Sequence, residues 1–252
     1  METNIKIDIY FHIFLTENYH TFSIVNEQIF LLHISELLYQ CDSLNIVVVC
    51  PQGENNQYIE NLKKLITKFN LNFNVIIRGI FSSGNECLTG NFLIDDCKKT
   101  EEERYILYFH TKGSSRESDM QIPTKYWRHF MEYYCIENWK NCIIKLDSGY
   151  ESVGSLWIDR DLKFNHLYSD HQHLKNKDGD GFYAGTFYWI KNSLIRKIIN
   201  QKELGLDRYC MEELPTLVKH KHFSFDDFPI ELGVDLYREI YHPKNYIKKK
   251  YE

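Results

Sequence analysis

The chain has 252 residues and a formal net charge of −5, and 43% of its residues are hydrophobic. This combination predicts one large folded domain with a substantial apolar core rather than a disordered chain. The negative charge argues against a nucleic-acid-binding surface. No apolar run reaches the ~18 residues that a membrane-spanning helix needs, so we expect no membrane span.

The seven cysteines, an odd number, occur at irregular spacings without a C-x-x-C pair. Several lie in apolar runs, such as Cys50 after "NIVVV". This pattern favours reduced, buried thiols over a disulfide framework. The first residues also lack the basic and small-residue segments of a signal peptide. We therefore expect a cytoplasmic protein, located in the host cytoplasm if the gene is viral.

The first part of the chain alternates between strand and helix patterns. Apolar segments rich in β-branched and aromatic residues predict strands at 5–14, 45–51, 73–80 and 105–113. Helix-spaced apolar residues separate them, namely Phe30, Ile34, Leu37, Leu38 and Cys41, then Ile59, Leu62, Leu65, Ile66 and Phe69, and a short helix is predicted near 86–98. Single helices between strands imply right-handed crossovers and a mostly parallel α/β sheet, which binds ligands beyond the carboxyl ends of its strands.

The second part of the chain has a different pattern. A long helix is predicted over 123–146, with Pro123 at its start. A polar stretch rich in His and Asp follows, then a strand at 182–191 and a helix face formed by Leu194, Ile195, Ile198 and Ile199. A short helix and the strand-like "HFSFDDF" come after Pro215.

The "HTKG" segment, His110 to Gly113, follows the fourth predicted strand and is the sharpest local motif. A lysine followed by glycine at the end of a buried strand offers a flexible cation and an approachable backbone. Both features suit the oxygens of a diphosphate. A polar strand exit with a surface lysine is the alternative, and the local sequence leaves it open.

Two further segments carry groups that suit catalysis. Gly185, inside the aromatic segment "FYAGTFYWIK", allows a ligand or a neighbouring backbone to approach closely. Glu212 and Glu213 are paired carboxylates between apolar neighbours, and one of them could act as a general base. Core aromatics and an acidic helix start are the structural alternatives for these segments.

Four segments in this order resemble a group of GT-A-like glycosyltransferases found in bacterial polysaccharide loci and in large DNA viruses. They are "YILYFHTKG", the tryptophan-bearing "KYWRHFMEYYCIENW", "YESVG" and "FYAGTFYWIK". The group includes the N-terminal glycosyltransferase domain of a multidomain chlorella-virus enzyme. The resemblance implies one GT-A-type domain over 1–252, with a nucleotide-binding half at 1–115 and an acceptor-side half at 116–252. It implies transfer of a sugar from a nucleotide sugar, such as a UDP-sugar, to a glycan or glycoconjugate.

The resemblance also assigns roles by position. Phe11, His12 and Ile13 are expected to border the base and ribose, with Arg78, Asn85 and Glu86 on the same rim and His110, Thr111, Lys112 and Gly113 at the diphosphate. Glu212 or Glu213 is expected to act as the base, and the segment from Tyr183 through Gly185 to Trp189 is expected to receive the acceptor, with aromatic rings that stack on sugars. Thr186 and Tyr188 depart from the group's usual Asn and Trp.

The metal motif of many GT-A enzymes is missing from its usual place, which "HTKG" occupies. Lys112 is expected to replace much of the charge of a metal, or His110 to join ligands from elsewhere on Mn²⁺ or Mg²⁺. Asp159 and Asp161 form an Asp-x-Asp later in the chain, which favours a solvated turn. The segment 176–181 is a candidate lid. His166, His171, His173, His220 and His222 lack zinc-site spacing.

Two other classes of function compete with a glycosyltransferase. The first is a non-catalytic module that binds a nucleotide sugar or a glycan, and we expect such a module to lose Lys112 and the acidic pair, which this chain keeps. The second is a Rossmann-type dehydrogenase or methyltransferase. The first strand is followed by "HIFLTENYH" without a G-x-G-x-x-G segment, which argues against this class.

Overall fold

Residues 5–54, 56–68, 75–115, 118–159, 181–201 and 210–225, with Pro243 and Tyr246, are described by the computed structural model of the chain. The first half contains β1 (Lys6–Phe14), α1 (Tyr19–Ile34), α2 (Leu37–Gln40), β2 (Ser43–Val49), α3 (Gln57–Lys68), β3 (Val75–Phe81), α4 (Cys87–Lys98) and β4 (Arg104–His110). This order confirms the alternation of strands and helices that the sequence predicts.

The second half contains shorter elements. They are α5 (Ser118–Glu132), a π-helical turn (Tyr133–Glu137), α6 (Trp139–Asp147), β5 (Ser152–Gly154), β6 (Trp157–Asp159), β7 (Gly181–Tyr183), β8 (Tyr188–Lys191), α7 (Asn192–Gln201), α8 (Cys210–Glu213), a 3-10 turn (Leu214–Leu217) and β9 (His222–Ser224). None of the helices in the described part is both long and apolar enough to cross a membrane.

The main sheet has seven strands in the order β3-β2-β1-β4-β8-β5-β9. The first four are parallel to one another, β8 is antiparallel to both β4 and β5, and β9 is parallel to β5. The α/β class with a mostly parallel sheet is thus confirmed. β1 lies between β2 and β4, so the chain first adds β2 and β3 on one side of β1 and then adds β4 on the other side.

Each face of the sheet is covered by its own apolar cluster. Ile9, Phe11 and Ile13 of β1 pack on one face with residues of α1, α3 and α5, whereas Tyr10 packs on the other with α4, α7 and α8. Alternate residues of a strand point to opposite faces, which explains this division. α4 approaches α8 closely at Gly90, where an added Cβ would lie 2.6 Å from the Sδ atom of Met211.

Three sequence predictions about elements are wrong in detail. Phe30 and Ile34 are exposed, because the buried face of α1 is formed by Thr21, Ile24, Val25, Gln28, Ile29 and Leu32. The predicted helix over 123–146 is interrupted by the π-helical turn, and Pro123 lies inside α5 rather than at its start. The predicted strand at 182–191 is two strands of different sheets, separated by a turn.

The prediction that all cysteines are reduced thiols is also wrong. Cys87 at the start of α4 and Cys210 at the start of α8 form a disulfide across 123 positions of sequence, with their Cα atoms 5.7 Å apart. The other five cysteines are buried and lie outside this pair. Spacing along the chain could not reveal the pair, because contact between α4 and α8 depends on the tertiary fold. The cytoplasmic location stays a prediction, and this disulfide does not support it.

Candidate functional site

His12 and His110 lie opposite each other at the carboxyl ends of two neighbouring strands. They are the last residue pair in the register of β1 with β4. The order of the sheet reverses between these strands, because the chain runs from β1 to β2 on one side and reaches β4 on the other. Ligands of open α/β sheets bind in the crevice at such a reversal.

A cavity of about 410 Å³ opens at this reversal. Its walls come from the ends of β1 and β4, the turn before α4 and the segment after β4. The lining residues are His12, Phe14, Gly84, Asn85, Glu86, His110, Thr111, Lys112, Gly113, Ser114 and Ser115. The structure thus brings together seven of the residues that the resemblance assigns to donor binding, namely His12, Asn85, Glu86, His110, Thr111, Lys112 and Gly113.

The amino terminus of α4 faces this cavity. Asn85 Oδ1 accepts a hydrogen bond of 3.0 Å from the backbone N of Cys87, and the preceding Gly84 has a φ of 144°. Asn85 therefore caps the first turn of the helix. The partial positive charge at a helix amino terminus favours an anion.

His110 is held through both ring nitrogens. Its Nδ1 lies 2.6 Å from Glu86 Oε1, and its Nε2 lies 3.1 Å from the carbonyl oxygen of Gly185. An ionised Glu86 and the carbonyl of Gly185 both accept hydrogen bonds, so the arrangement suits a ring that donates from both nitrogens. Burial alone would raise the pKa of Glu86, but the charge and hydrogen bond of His110, helped by His12 and Lys112, hold it at about 2.

His12 is buried, and its Nδ1 lies 2.9 Å from Thr89 Oγ1 on the first turn of α4. Burial lowers the pKa of His12 to about 4, with the nearby His110 acting in the same direction and Glu86 opposing it. The His12 ring is therefore neutral near pH 7.

The segment after β4 is tied to the end of β1. Thr111 N donates to His12 O at 3.1 Å, and Thr111 Oγ1 accepts from Phe14 N at 2.9 Å. Lys112 Nζ lies 4.1 Å from the centroid of the Trp127 ring, a cation–π distance. Trp127 is buried in α5, and Lys112 is one of the residues that line the cavity.

The structure places four of the proposed site residues away from the cavity. Phe11 and Ile13 are fully buried in the core on the opposite face of β1 from His12, because side chains alternate along a strand. Arg78 bonds to Asn45 Oδ1 at 2.7 Å and to Asp96, and it lines a second cavity with Asp8 and Tyr10, which come earlier in β1 on the same face as His12. Tyr183 is fully buried, and its hydroxyl donates to Phe223 O at 3.1 Å.

The proposed acceptor segment is also mostly core. Phe187, Tyr188 and Trp189 are fully buried, so their rings cannot stack on a sugar in this conformation. The turn between β7 and β8 is the exception. Gly185 and Thr186 both have positive φ values, 91° and 67°, and this turn directs the carbonyl of Gly185 to His110.

Glu212 belongs to the same hydrogen-bonded chain as His110. Its Oε1 accepts from the backbone N of Gly185 at 3.3 Å, and the carbonyl of that residue accepts from His110. Glu213 lies in α8, but its side chain is outside the described part of the structure. Its role stays a prediction, as does that of Asp161 and of the proposed lid at 176–181, of which only Gly181 lies in the described part.

Three contacts in the site were missed by sequence reasoning. Thr89 shares a helix face with Glu86, three positions earlier, and that spacing was a usable signal. Gln28 of α1 and Arg128 of α5 reach the carbonyl oxygens of His110 and Lys112, and no local pattern indicates such contacts.

The described residues do not assemble a metal centre. Among them, no group of three His, Cys, Asp or Glu side chains is placed to hold a metal ion. Glu86 is already bonded to His110, and His12 Nδ1 is bonded to Thr89. Within this part of the chain, the basic side chains that line the cavity are His12, His110 and Lys112.

Comparisons with known proteins provide little beyond this geometry. No protein-family model matches the chain, and no curated protein matches it. Among solved structures it is similar to 4-diphosphocytidyl-2C-methyl-D-erythritol synthase from Anaerococcus prevotii, at 10% identity over 89% of this chain and 92% of that chain. The TM-score is 0.39, which is too low to carry an argument about function. The resemblance to GT-A enzymes therefore stays a prediction from motifs.

Proposed function

We propose that this chain is a glycosyltransferase that binds the pyrophosphate of a nucleotide sugar, with UDP as the expected nucleotide, in the cavity between β1 and β4. The observation that supports this best is the convergence of three anion-binding groups on that cavity. These groups are the His110 ring, Lys112 and the amino terminus of α4. A pyrophosphate is a compact ligand that matches this arrangement.

Among the described residues that line the cavity, Glu86 is the one carboxylate, and it points at His110 and fixes the orientation of that ring. In this part of the chain, its negative charge faces His110, Lys112 and a helix amino terminus. A neutral His12 adds a polar surface without further charge, which suits contacts to the ribose or the base.

The chemistry follows from where charge develops during transfer. The bond between the anomeric carbon and the pyrophosphate oxygen breaks, and the departing nucleoside diphosphate takes the electron pair. His110 and Lys112 stabilise this growing negative charge, and groups that are already oriented do so without reorganising. The acceptor oxygen forms the new bond to the anomeric carbon. The proposal needs no step at a metal ion.

The acceptor is placed on the side of Gly185. Glu212 lies beyond Gly185 from His110, within the same chain of hydrogen bonds. In an inverting reaction Glu212 or Glu213 takes the proton of the acceptor hydroxyl. A retaining reaction does not require this base. A glycan or glycoconjugate acceptor remains part of the proposal through the resemblance alone.

The test begins with a thermal-shift screen of UDP-, GDP-, TDP- and CMP-sugars, with and without Mn²⁺. A ligand that binds only the folded state raises the melting temperature by mass action. We expect the UDP-sugars to raise it, and a hydrolysis or transfer assay then follows the released UDP. Binding without turnover for any acceptor would favour the non-catalytic module.

Lys112→Ala tests the pyrophosphate contact directly. We expect UDP binding at least about tenfold weaker, since one charge-assisted contact is lost, with the fold unchanged. Lys145→Ala is the matched control, because Lys145 Nζ also lies 4.1 Å from an aromatic centroid, that of Phe223, away from the cavity. Equal UDP affinity in both variants and the wild type would remove Lys112 from the proposal.

A further inference from the structure

A buried polar cluster lies beneath the segment His110 to Gly113. It consists of Gln28 from α1 and Arg128 and Glu132 from α5, which are 0%, 2% and 0% exposed. Gln28 Nε2 donates to Glu132 Oε1 at 2.9 Å, and Arg128 Nε lies 3.2 Å from the same oxygen. Charged side chains are almost never this buried without a partner.

The cluster reaches the backbone of the proposed pyrophosphate segment at two points. Gln28 Nε2 donates to the carbonyl oxygen of His110 at 3.1 Å, and Arg128 Nη1 donates to that of Lys112 at 3.2 Å. Each bond fixes the plane of a peptide unit. The two bonds together fix the direction in which Lys112 leaves the backbone.

The outer edge of the cluster anchors Arg128. Arg128 Nη2 donates to Glu27 Oε2 at 2.7 Å, and His129 Nε2 lies 2.8 Å from Glu27 Oε1. Burial would raise the pKa of Glu27, but the hydrogen bond from His129 and the charge of Arg128 hold it at about 2. The guanidinium is thus held by carboxylates on two sides while a third edge contacts Lys112 O.

Stability alone does not explain such an arrangement. Well-packed apolar side chains of similar volume often stabilise a core as well as a buried ion pair does, or better. Buried polar groups that contact a functional segment are expected where orientation matters, because a displacement of about 1 Å can cost a large part of an enzyme's rate. The glycine of the segment also fits tightly here, since an added Cβ at Gly113 would lie 2.7 Å from Thr124 Cγ2 in α5.

We propose that Gln28 and Arg128 are positioning residues that hold the backbone of His110 to Gly113 so that Lys112 faces the pyrophosphate. This proposal rests on the proposed function of the cavity. Neither residue touches the ligand, and both act through the carbonyl oxygens of the segment. Glu132 and Glu27 in turn orient the two donors.

The first measurement is UDP binding by calorimetry, well below the melting temperature of each variant. Gln28→Met removes the donor and keeps the volume, and it is expected to weaken UDP binding about tenfold, as the loss of one buried hydrogen bond would. Arg128→Met is expected to do the same, and Arg128→Lys, which keeps a cation, should recover part of the loss. Wild-type affinity in a folded Gln28→Met protein would overturn the proposal.

Ser152→Ala is the control for general destabilisation. Ser152 is fully buried and bonds to Tyr183 and His220, on the other side of the sheet's reversal. This variant should lose stability without any change in UDP affinity. If it weakened UDP binding as much as Gln28→Met does, the positioning role would be wrong.

Hydrogen exchange of the backbone separates this proposal from the proposed function. The amides of 111–115 should exchange faster in Gln28→Met than in the wild type, with or without UDP. A wild type that binds no UDP would remove the proposed function, yet faster exchange in Gln28→Met would still support the positioning of the segment. Unchanged exchange in that variant would overturn the positioning role even if UDP binds.

Discussion

The Nδ1 atom of His110 lies 2.6 Å from Oε1 of Glu86, and the two residues come from different elements that meet at the end of β4. The pair fixes the orientation of a histidine at the end of a strand. The carboxylate holds the ring from one side, and the carbonyl of Gly185 holds it from the other. The orientation and the position of His110 thus depend on three separate segments of the chain.

The Glu86 carboxylate should stabilise the fold in a defined pH range. Its pKa is about 2 in the folded chain against an ordinary value of 4.5, so its contribution is complete above pH 4.5 and is lost as pH falls towards 2. Because the side chain is 22% exposed, solvent screens part of this interaction, and we expect it to contribute about 2 kcal/mol to the free energy of unfolding at pH 7. Urea unfolding should show this loss in Glu86→Gln at pH 7 and little difference near pH 2. An equal loss at both pH values would contradict the ion pair.

His12 should make the protein sensitive to mild acid. Its pKa is about 4 in the folded chain and 6.5 in the unfolded chain, so the unfolded state gains a proton first as pH falls. The contribution of His12 to the free energy of unfolding is complete above pH 6.5, and it falls by about 3 kcal/mol towards pH 4. In His12→Gln, whose side chain stays neutral, the urea midpoint should depend less on pH over this range. His20→Gln is the control, and its midpoint should keep the pH dependence of the wild type. A slope that survives in His12→Gln would refute the assignment.

Reduction of the Cys87–Cys210 disulfide should destabilise the protein. The bond closes a loop of 123 positions, and loops of this length are expected to contribute about 4 kcal/mol through the unfolded state. Dithiothreitol should lower the urea midpoint of the wild type. The double variant Cys87→Ser with Cys210→Ser should start at that lower midpoint and show no response to the reductant. An unchanged urea midpoint of the wild type in dithiothreitol would contradict the disulfide.

Gly185→Ala should be more damaging than an equivalent change at an open glycine. Gly185 and Gly53 have φ values of 91° and 78°, so alanine strains the backbone at both, by about 1–2 kcal/mol. An added Cβ at Gly185 would also lie 2.4 Å from Met131 Sδ, whereas nothing lies within 4 Å at Gly53. We expect a further loss of about 1–3 kcal/mol for overpacking. Unfolding of the two variants measures the difference, and equal losses would remove the steric contribution.

Much of the first half was predictable because its signals are local. The strands and helices from β1 to β4 follow from the periodicity of apolar residues, which reports the faces that an element buries. The parallel order of those strands then places the residues after β1 and β4 at one edge of the sheet. For this reason the sequence alone was enough to group His12 with the segment His110 to Gly113.

The errors share a different cause. The side chains of Phe11, Ile13 and Arg78 were assigned by their place in the chain. Strand alternation turns Phe11 and Ile13 away from His12, and Arg78 lines a separate cavity beside Asp8 and Tyr10. The segment 182–191 has the composition of one strand, yet the turn at Gly185 and Thr186 divides it. Strand composition reports burial, and it does not report where a buried aromatic run changes sheet.

The sequence by itself determined the α/β class, the parallel half of the sheet and the strand end at which polar groups gather, since these depend on periodicities a few residues long. The tertiary structure alone decided the partners. Glu86 meets His110 across 24 positions, Gln28 reaches the same segment from α1, and Cys87 joins Cys210 across 123 positions. Such contacts depend on how helices pack against the sheet, and no local pattern of residues encodes that arrangement.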